Sequence, residues 1–216
     1  MDVLNMLIPM VIKGLRMTLG VFFITLVFSL PLSIVVARLR LSKNLLISRL
    51  TAVYIYLMRG TPLLLQMMFI FFGLPELPGG GLVLGREMAI YVAFILNYTA
   101  YFAEIFRGGI QSIDQGQWEA GEVLGLSRLY TFKKIILPQV IKNILPSLSN
   151  EIITLVKDTS LVFSLGVMDV LKAAKATAMR FSTLSPYLYV GGVYLILVAV
   201  LTRLLDRTEE KFSYYR

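Results

Sequence analysis

Five stretches of about 20 apolar residues are separated by polar segments along the 216-residue chain. A length of about 20 residues is what an α-helix needs to cross a ~30 Å hydrocarbon core. The pattern therefore predicts an all-α integral membrane protein with five transmembrane helices in one domain, residues 1–216. We place the membrane-spanning segments (spans) at residues 17–37, 50–74, 88–106, 147–168 and 187–205.

Prolines mark irregular positions in three of these spans. Pro31 predicts a kink in the first span, because proline removes a helix hydrogen bond. Pro62 predicts a kink or a partly unwound turn after Thr61 in the second span, where a plain hinge and a binding element are alternative interpretations. Pro146 lies at the predicted start of the fourth span, a position at which proline is common.

The distribution of basic residues predicts the orientation. Thirteen of the 21 Lys and Arg residues lie in segments that we place inside the cell, and six lie in segments that we place outside. Because cytoplasmic loops are enriched in Lys and Arg, we expect the amino terminus outside and the carboxyl terminus in the cytoplasm. The outer loop at residues 169–186 is basic in spite of this rule, with Lys172, Lys175 and Arg180. We interpret it as a surface that faces an extracellular partner.

Composition narrows the classes of function. Hydrophobic residues make up 57% of the chain and charged residues 16%, and the mean hydropathy is +0.76, which excludes a soluble domain. The sequence has no cysteine and no histidine, so disulfides, thiolate ligands and imidazole chemistry are excluded. We predict no catalytic residues and no metal site. Basic cytoplasmic loops account for the net charge of +8 without a nucleic-acid partner.

The polar segment at residues 107–145 is predicted to lie in the cytoplasm and to contain two short helices. In the first helix, Glu119 and Glu122 are three residues apart and share a face. Between these two glutamates, Ala120 and Gly121 have only a methyl group and a hydrogen atom as side chains, so the helix surface beside the glutamates is nearly bare. Such a helix can seat deeply in the groove of a partner, although the spacing alone is equally typical of an ordinary amphipathic loop helix.

The same segment carries signals for the boundary between the two helices. Gly125 is typical of a helix C-terminal cap, and Ser127 of the N-cap of the helix that follows. The second helix is therefore expected to begin near Arg128.

The spacing of residues 119–138 resembles a family motif. Glu119-Ala120-Gly121 is followed by three residues, Gly125, nine residues, Ile135, one residue and Leu137-Pro138. This order is similar to the EAA loop of binding-protein-dependent ABC importer permeases, written EAA, x3, G, x9, I, x, LP. Gly121 replaces the second alanine and keeps the small side chain. The phrases RGTPLLLQ, NYTAYFAEIFRGGIQSI and KDTSL resemble the polar amino acid uptake subfamily, with Asp114 where proline is frequent.

The resemblance implies a type I ABC importer permease fold in a bacterial inner membrane. It implies that a coupling helix contacts a cytoplasmic ABC ATPase dimer through Glu119, Ala120, Gly121, Glu122 and Gly125. An extracytoplasmic solute-binding protein is the second implied partner. ATP would be bound by the ATPase, because this sequence lacks a GxxxxGK[ST] loop, and we expect no cofactor here. Five spans enclose a pathway poorly, so we also expect a second permease chain, which forms a homodimer if it is a copy of this chain; a sister subunit is the alternative.

Polar residues within the spans are the candidate substrate site. An ionised side chain near the bilayer centre costs about 2.5 to 3.5 kcal/mol and usually faces a cavity or a partner. Residues 151, 154, 155 and 158 follow helical spacing and form one stripe along the fourth span. The predicted substrate-binding residues are Glu151, Thr154, Leu155, Lys157 and Asp158 of that span and Asn97, Tyr98 and Tyr101 of the third span.

We expect Glu151 and Asp158 to bind the ammonium or guanidinium of a basic amino acid such as arginine, lysine or histidine. An internal salt bridge between Lys157 and Asp158 is the structural alternative. The predicted function is the permease subunit of an ATP-driven amino acid importer. An ion-coupled secondary carrier is the alternative function, with Glu104, Glu151 and Asp158 as a proton relay. Five spans without an inverted repeat argue against that carrier.

Overall fold

The computed structural model describes residues 2–79 and 81–212, and every regular element within them is helical, which confirms the all-α prediction. The α-helices are α1 (Val3–Arg40), α2 (Leu45–Gly60), α3 (Leu63–Met68), α4 (Arg86–Gln111), α5 (Gln115–Val123), α6 (Arg128–Thr131), α7 (Leu137–Asp158), α8 (Val170–Phe181) and α9 (Ser185–Lys211). Leu74–Glu76 and Thr159–Leu165 form 3₁₀-helices, and Phe69–Gly73 and Phe132–Ile136 form π-helical turns.

Three helices of the described chain, α1, α4 and α9, are long and apolar enough to cross a membrane. A fourth span is present if Leu45–Gly60 and Leu63–Glu76, which meet at an angle of 105°, are counted as one broken helix. The predicted fourth span corresponds to the second half of α7 and the 3₁₀-helix after it. Helix α7 is too polar to qualify on composition, since it contains Lys142, Glu151, Lys157 and Asp158.

The first helix is longer than predicted. The residues before the first predicted span and the span itself form one helix of 38 residues, with both Pro9 and Pro31 inside it. Gly14 lies where α1 meets the amino-terminal end of α8. A β-carbon at this position would come within 2.5 Å of the Asp169 carbonyl carbon, so the close packing of α1 on α8 requires glycine.

The prediction that Pro146 begins a helix is wrong. Helix α7 begins at Leu137 and has Pro138 in its first turn, while Pro146 lies inside the helix. The physical reason is that no helix starts at Pro146: the chain runs into α7 from the π-helical turn Phe132–Ile136, and the hydrogen bond that Pro146 removes is lost inside a helix that continues through it.

The outer loop predicted at residues 169–186 is largely helix α8. Asp169 is its N-cap, accepting hydrogen bonds from the backbone N–H groups of Leu171 (3.2 Å) and Lys172 (2.9 Å). Its buried side is formed by Val170, Ala173, Ala174, Thr177 and Ala178. An alternating small and basic sequence of this kind is amphipathic at helical spacing, which the loop prediction overlooked.

Helix α4 lies at the centre of the packing and contacts α1, α2, α3 and α7. Its buried aromatic side chains, Phe94, Tyr98 and Phe102, belong to the largest core cluster together with Leu155 and Val156 of α7. Large apolar side chains remain exposed on α1, α2 and α9. Exposed apolar surface on this scale is expected where helices face lipid or another subunit.

Candidate functional site

A cavity of ≈ 410 Å³, which we call the α4–α7 cavity, lies where α4, α7 and the break between α2 and α3 meet. Its volume falls in the range of about 300 to 1,000 Å³ that is typical of small-molecule sites. It contains six of the eight predicted substrate-binding residues. The lining consists of Arg59, Gly60, Thr61, Pro62 and Leu63 at the break, Asn97, Tyr98 and Tyr101 of α4, and Glu151, Thr154 and Asp158 of α7.

Helical periodicity brings the α7 residues to the cavity and keeps two predicted residues away from it. Glu151, Thr154 and Asp158 share the face that lines the cavity. Leu155 is fully buried in the hydrophobic core, and Lys157 is exposed on another side of α7. Neither of these two side chains lines the cavity, so their predicted contact with substrate has no geometric support in this conformation.

Asp158 is fixed from the opposite side of the cavity. The Tyr98 hydroxyl donates a hydrogen bond of 2.8 Å to Asp158 Oδ2, and Tyr98 itself is only 1% exposed. Lys157 makes no ion pair with Asp158 in the described part of the chain. The geometry therefore favours a cavity-facing Asp158 over the salt bridge considered from the sequence.

The break after α2 is as predicted from Pro62. Thr61 and Pro62 are extended, with ψ values of 146° and 134°, and the chain turns sharply between α2 and α3. This break leaves carbonyl groups at the end of α2 without helical partners. A buried carbonyl without a partner is costly, so other donors must satisfy them.

Gln66 and Asn97 supply those donors. Gln66 Nε2 donates to the carbonyl oxygens of Met58 (2.9 Å) and Thr61 (3.1 Å) and to Thr61 Oγ1 (2.8 Å). Asn97 Nδ2 donates to Met58 O (2.9 Å) and to Gln66 Oε1 (3.0 Å). Both amide hydrogens of Asn97 are therefore committed, and only its Oδ1 is left to accept a hydrogen bond from a ligand. Sequence reasoning missed Gln66, although it lies in the RGTPLLLQ phrase.

Arg59 lies at the edge of the cavity, a position that could not be predicted from the sequence. Its guanidinium carbon is 5.2 Å from the centre of the Tyr101 ring, and its Nη1 is 4.0 Å from Glu104 Oε1. Glu104 is held more closely by Arg107, whose Nε donates to Glu104 Oε2 at 2.9 Å. Glu104 lies outside the lining of the α4–α7 cavity.

The predicted coupling helix is α5, and its caps confirm the sequence signals. Gly125 follows its end with a φ of 68°, in the left-handed region that favours glycine. Ser127 Oγ accepts a hydrogen bond of 3.3 Å from the backbone N–H of Tyr130 and so caps α6, which begins at Arg128.

The side chains of α5 divide into an exposed and a packed side. Glu119, Ala120 and Glu122 are exposed, whereas Gly121 is buried against Thr131 of α6. A β-carbon at Gly121 would lie 2.6 Å from Thr131 Oγ1. The small residue at position 121 therefore serves packing between α5 and α6 within this chain.

Comparisons with known proteins agree with this architecture. Residues 29–214 match the sequence profile of the family described as binding-protein-dependent transport system inner membrane component. The chain is 38% identical to the arginine transport system permease protein ArtQ of Bacillus subtilis, over 95% of this chain and 94% of ArtQ. It is 35% identical to the nopaline transport system permease protein NocM of Agrobacterium fabrum, over 93% of this chain and 87% of NocM.

Solved structures share the fold. A crystal structure of an amino acid ABC transporter with histidines superposes with a TM-score of 0.88 at 32% identity, covering 98% of this chain and 99% of the other. An inward-facing structure of the MetNI methionine ABC transporter has a TM-score of 0.69 at 17% identity, over 97% of both chains. The chain therefore belongs to the family of binding-protein-dependent transport system inner membrane components. It is a permease subunit, as predicted, and nothing in these comparisons supports a secondary carrier.

Proposed function

We propose that this chain is the permease of an ATP-driven importer for basic amino acids. The observation that carries the proposal is the α4–α7 cavity, in which Glu151 and Asp158 face the same space from one side of α7. Two carboxylates match the two cationic groups of arginine or lysine, the α-ammonium and the side chain. The 38% identity to an arginine transport system permease supports this substrate class.

Glu151 is the residue most suited to selecting a cationic side chain. It makes no hydrogen bond and no ion pair within the described residues, although it is half-buried. A partly desolvated carboxylate without a partner is unfavourable, and a bound cation relieves that cost. Arginine or lysine would therefore gain more from Glu151 than a neutral amino acid.

Asp158 and Asn97 are suited to the α-ammonium. Asp158 is oriented by Tyr98, and Asn97 has only an acceptor oxygen to offer. An ammonium carries three donors and no acceptor, so two acceptors on facing helices match it. Thr154 lies between the two carboxylates, but its hydroxyl is directed to the Asn150 carbonyl at 3.0 Å.

The assembly follows from the same proposal. We place five spans in one transmembrane domain, with α7 and the following 3₁₀-helix as the fourth, the amino terminus outside and the carboxyl terminus in the cytoplasm. Two copies of this chain form the pathway in a bacterial inner membrane, and an extracytoplasmic solute-binding protein delivers the amino acid. The permease needs no cofactor, because ATP is bound by the partner ATPase.

Coupling to ATP runs through α5. Its exposed Glu119 and Glu122 would pair with basic groups in a groove of the ATPase. Closure of the ATPase dimer on ATP would move the two α5 helices together and switch the side to which the cavity opens. This is a rigid-body transition between two states that is biased by nucleotide.

The ATPase activity of proteoliposomes tests the proposal. They contain the permease with its ATPase, and a binding protein is added after loading with arginine, lysine, histidine or glutamine. We expect the proteins loaded with basic amino acids to stimulate ATP hydrolysis most. Equal stimulation by glutamine would contradict selection of a basic side chain, and indifference to every loaded binding protein would contradict the importer.

A further inference from the structure

Among the described residues, Arg59 is the only basic residue that lines the α4–α7 cavity. It lies in the last turn of α2, directly before the break at Thr61 and Pro62. Its guanidinium makes no hydrogen bond to another residue in the described part of the chain. Five N–H donors are therefore available at the cavity edge, in the planar arrangement that matches a carboxylate.

Glu104 does not saturate this cation. Its distance of 4.0 Å from Arg59 Nη1 is beyond hydrogen-bond range. Both carboxylate oxygens of Glu104 accept hydrogen bonds from Arg107, which lies three residues further along α4. Glu104 is thus already hydrogen-bonded within its own helix, and Arg59 keeps its N–H donors for another acceptor.

Two features hold Arg59 at the edge of the cavity. The Tyr101 ring faces its guanidinium at 5.2 Å, a cation–π contact that leaves the N–H donors at the rim of the plane free. The carbonyl oxygen of Met58, the preceding residue, is fixed by both Gln66 and Asn97. The backbone that carries Arg59 is therefore anchored to α4, on the wall of the same cavity.

We propose that Arg59 binds the α-carboxylate of the transported amino acid. This inference rests on the proposed function in one respect, that the α4–α7 cavity holds an α-amino acid. Arg59 then supplies the positive end of the site, and Glu151 and Asp158 supply the negative end. A basic amino acid carries one carboxylate and two cationic groups, so its charges are complementary to the one cation and two carboxylates of the cavity.

Equilibrium binding to the purified permease–ATPase complex, without binding protein, tests the role of Arg59. The competing ligands are arginine and argininamide, in which a neutral amide replaces the α-carboxylate, at a mildly acidic pH that keeps both α-amino groups protonated. We expect the wild-type complex to prefer arginine by about 10- to 100-fold, as a charged hydrogen-bonded pair provides. Absence of this preference in the wild type would overturn the inference.

Substitutions then assign the preference to Arg59. Arg59→Gln is expected to bring the ratio of arginine to argininamide affinity close to one. Arg49→Gln is the matched control, because Arg49 is exposed on the same helix and outside the cavity lining. A wild-type ratio in Arg59→Gln would overturn the inference. If that variant does not assemble, Arg59→Lys decides: its ammonium cannot form the paired bonds, so the ratio should fall several-fold, and an unchanged ratio would overturn the inference.

Glu151→Gln separates this inference from the proposed substrate class. It is expected to reduce the preference for arginine over glutamine while keeping the preference for arginine over argininamide. If Glu151→Gln left the first preference intact while Arg59→Gln abolished the second, the basic-amino-acid assignment would fail and the role of Arg59 would stand. A wild-type complex that bound neither arginine nor glutamine would overturn both.

Discussion

The Tyr98 hydroxyl of α4 donates a 2.8 Å hydrogen bond to Oδ2 of Asp158 at the end of α7. This bond joins the two helices that supply most of the α4–α7 cavity. It also fixes the direction of a carboxylate that the proposed function assigns to the α-ammonium of the substrate.

Removal of that hydroxyl should weaken substrate binding. In Tyr98→Phe the aromatic ring remains in the core, but Asp158 loses the hydrogen bond from the Tyr98 hydroxyl. We expect this loss to weaken substrate binding by about 1 kcal/mol, which corresponds to roughly a fivefold loss of affinity. Binding of labelled arginine to the permease–ATPase complex measures the change. Tyr189→Phe on the exposed side of α9 is the control, and equal affinities for the two variants would contradict a positioning role of Tyr98.

Gln66 and Asn97 are expected to act as one unit at the break between α2 and α3. Gln66→Leu leaves the Thr61 carbonyl and part of the Asn97 amide without partners, so we expect the complex to lose about 1 to 3 kcal/mol of stability. Thermal unfolding of Gln66→Leu, Asn97→Leu and the double variant measures the coupling between them. Additive losses would show that the two amides work independently and would contradict the network.

The local chemistry of the sequence was sufficient to predict the irregular positions. Pro62 indicated the break, Gly125 and Ser127 indicated the caps, and helical spacing brought Glu151 and Asp158 to one face, because each signal depends on residues within one or two turns. The function of Gln66 could not be predicted in this way. Its amide oxygen accepts a hydrogen bond from Asn97, which lies 31 residues further along the chain, and only the fold brings the two side chains together.

Other differences have the same origin. Gly121 was interpreted as leaving space for a partner, yet its neighbour is Thr131 in the next helix of this chain. The helix start was assigned to Pro146 although Pro138 offers the same signal eight residues earlier. A small residue such as Gly121 can make room for another protein or for a helix of its own chain, and a proline at either of two positions can mark the start of a helix. Tertiary packing decides between these alternatives.

Two glycines of α1 provide a matched test of its packing on α8. A β-carbon at Gly14 would meet the backbone of Asp169 at 2.5 Å, whereas one at Gly20 would have its nearest contact at 3.8 Å, with the Tyr91 hydroxyl. Backbone atoms cannot move aside as a flexible side chain can, so Gly14→Ala should lower the free energy of unfolding by about 1 to 3 kcal/mol. Gly20→Ala should be neutral or slightly stabilising, because alanine favours the helix. Equal melting temperatures for the two variants would contradict this packing.

The contact between α5 and α6 is testable through rescue. Gly121→Ala places a methyl group against Thr131 and should lower both the melting temperature and the ATPase stimulation by a loaded binding protein. Thr131→Ala removes the two nearest of the three Thr131 atoms that the methyl group would meet and leaves the β-carbon at 3.2 Å, so the double variant should recover in large part. Gly108→Ala is the control, since no atom of the described residues lies within 4 Å of that β-carbon. Failure of the second substitution to rescue the first would show that position 121 acts on the ATPase directly.

The role of Glu151 in selecting a basic amino acid is tested by the uptake of labelled arginine and labelled glutamine into proteoliposomes, by wild-type transporter and by Glu151→Gln. Each substrate is supplied on its own binding protein, and Glu76→Gln, at an exposed position outside the cavity, is the control. We expect Glu151→Gln to reduce arginine uptake at least tenfold relative to glutamine uptake, as loss of a charged hydrogen-bonded pair implies. Arginine uptake unchanged in rate and apparent affinity would contradict the selection of a basic side chain by Glu151.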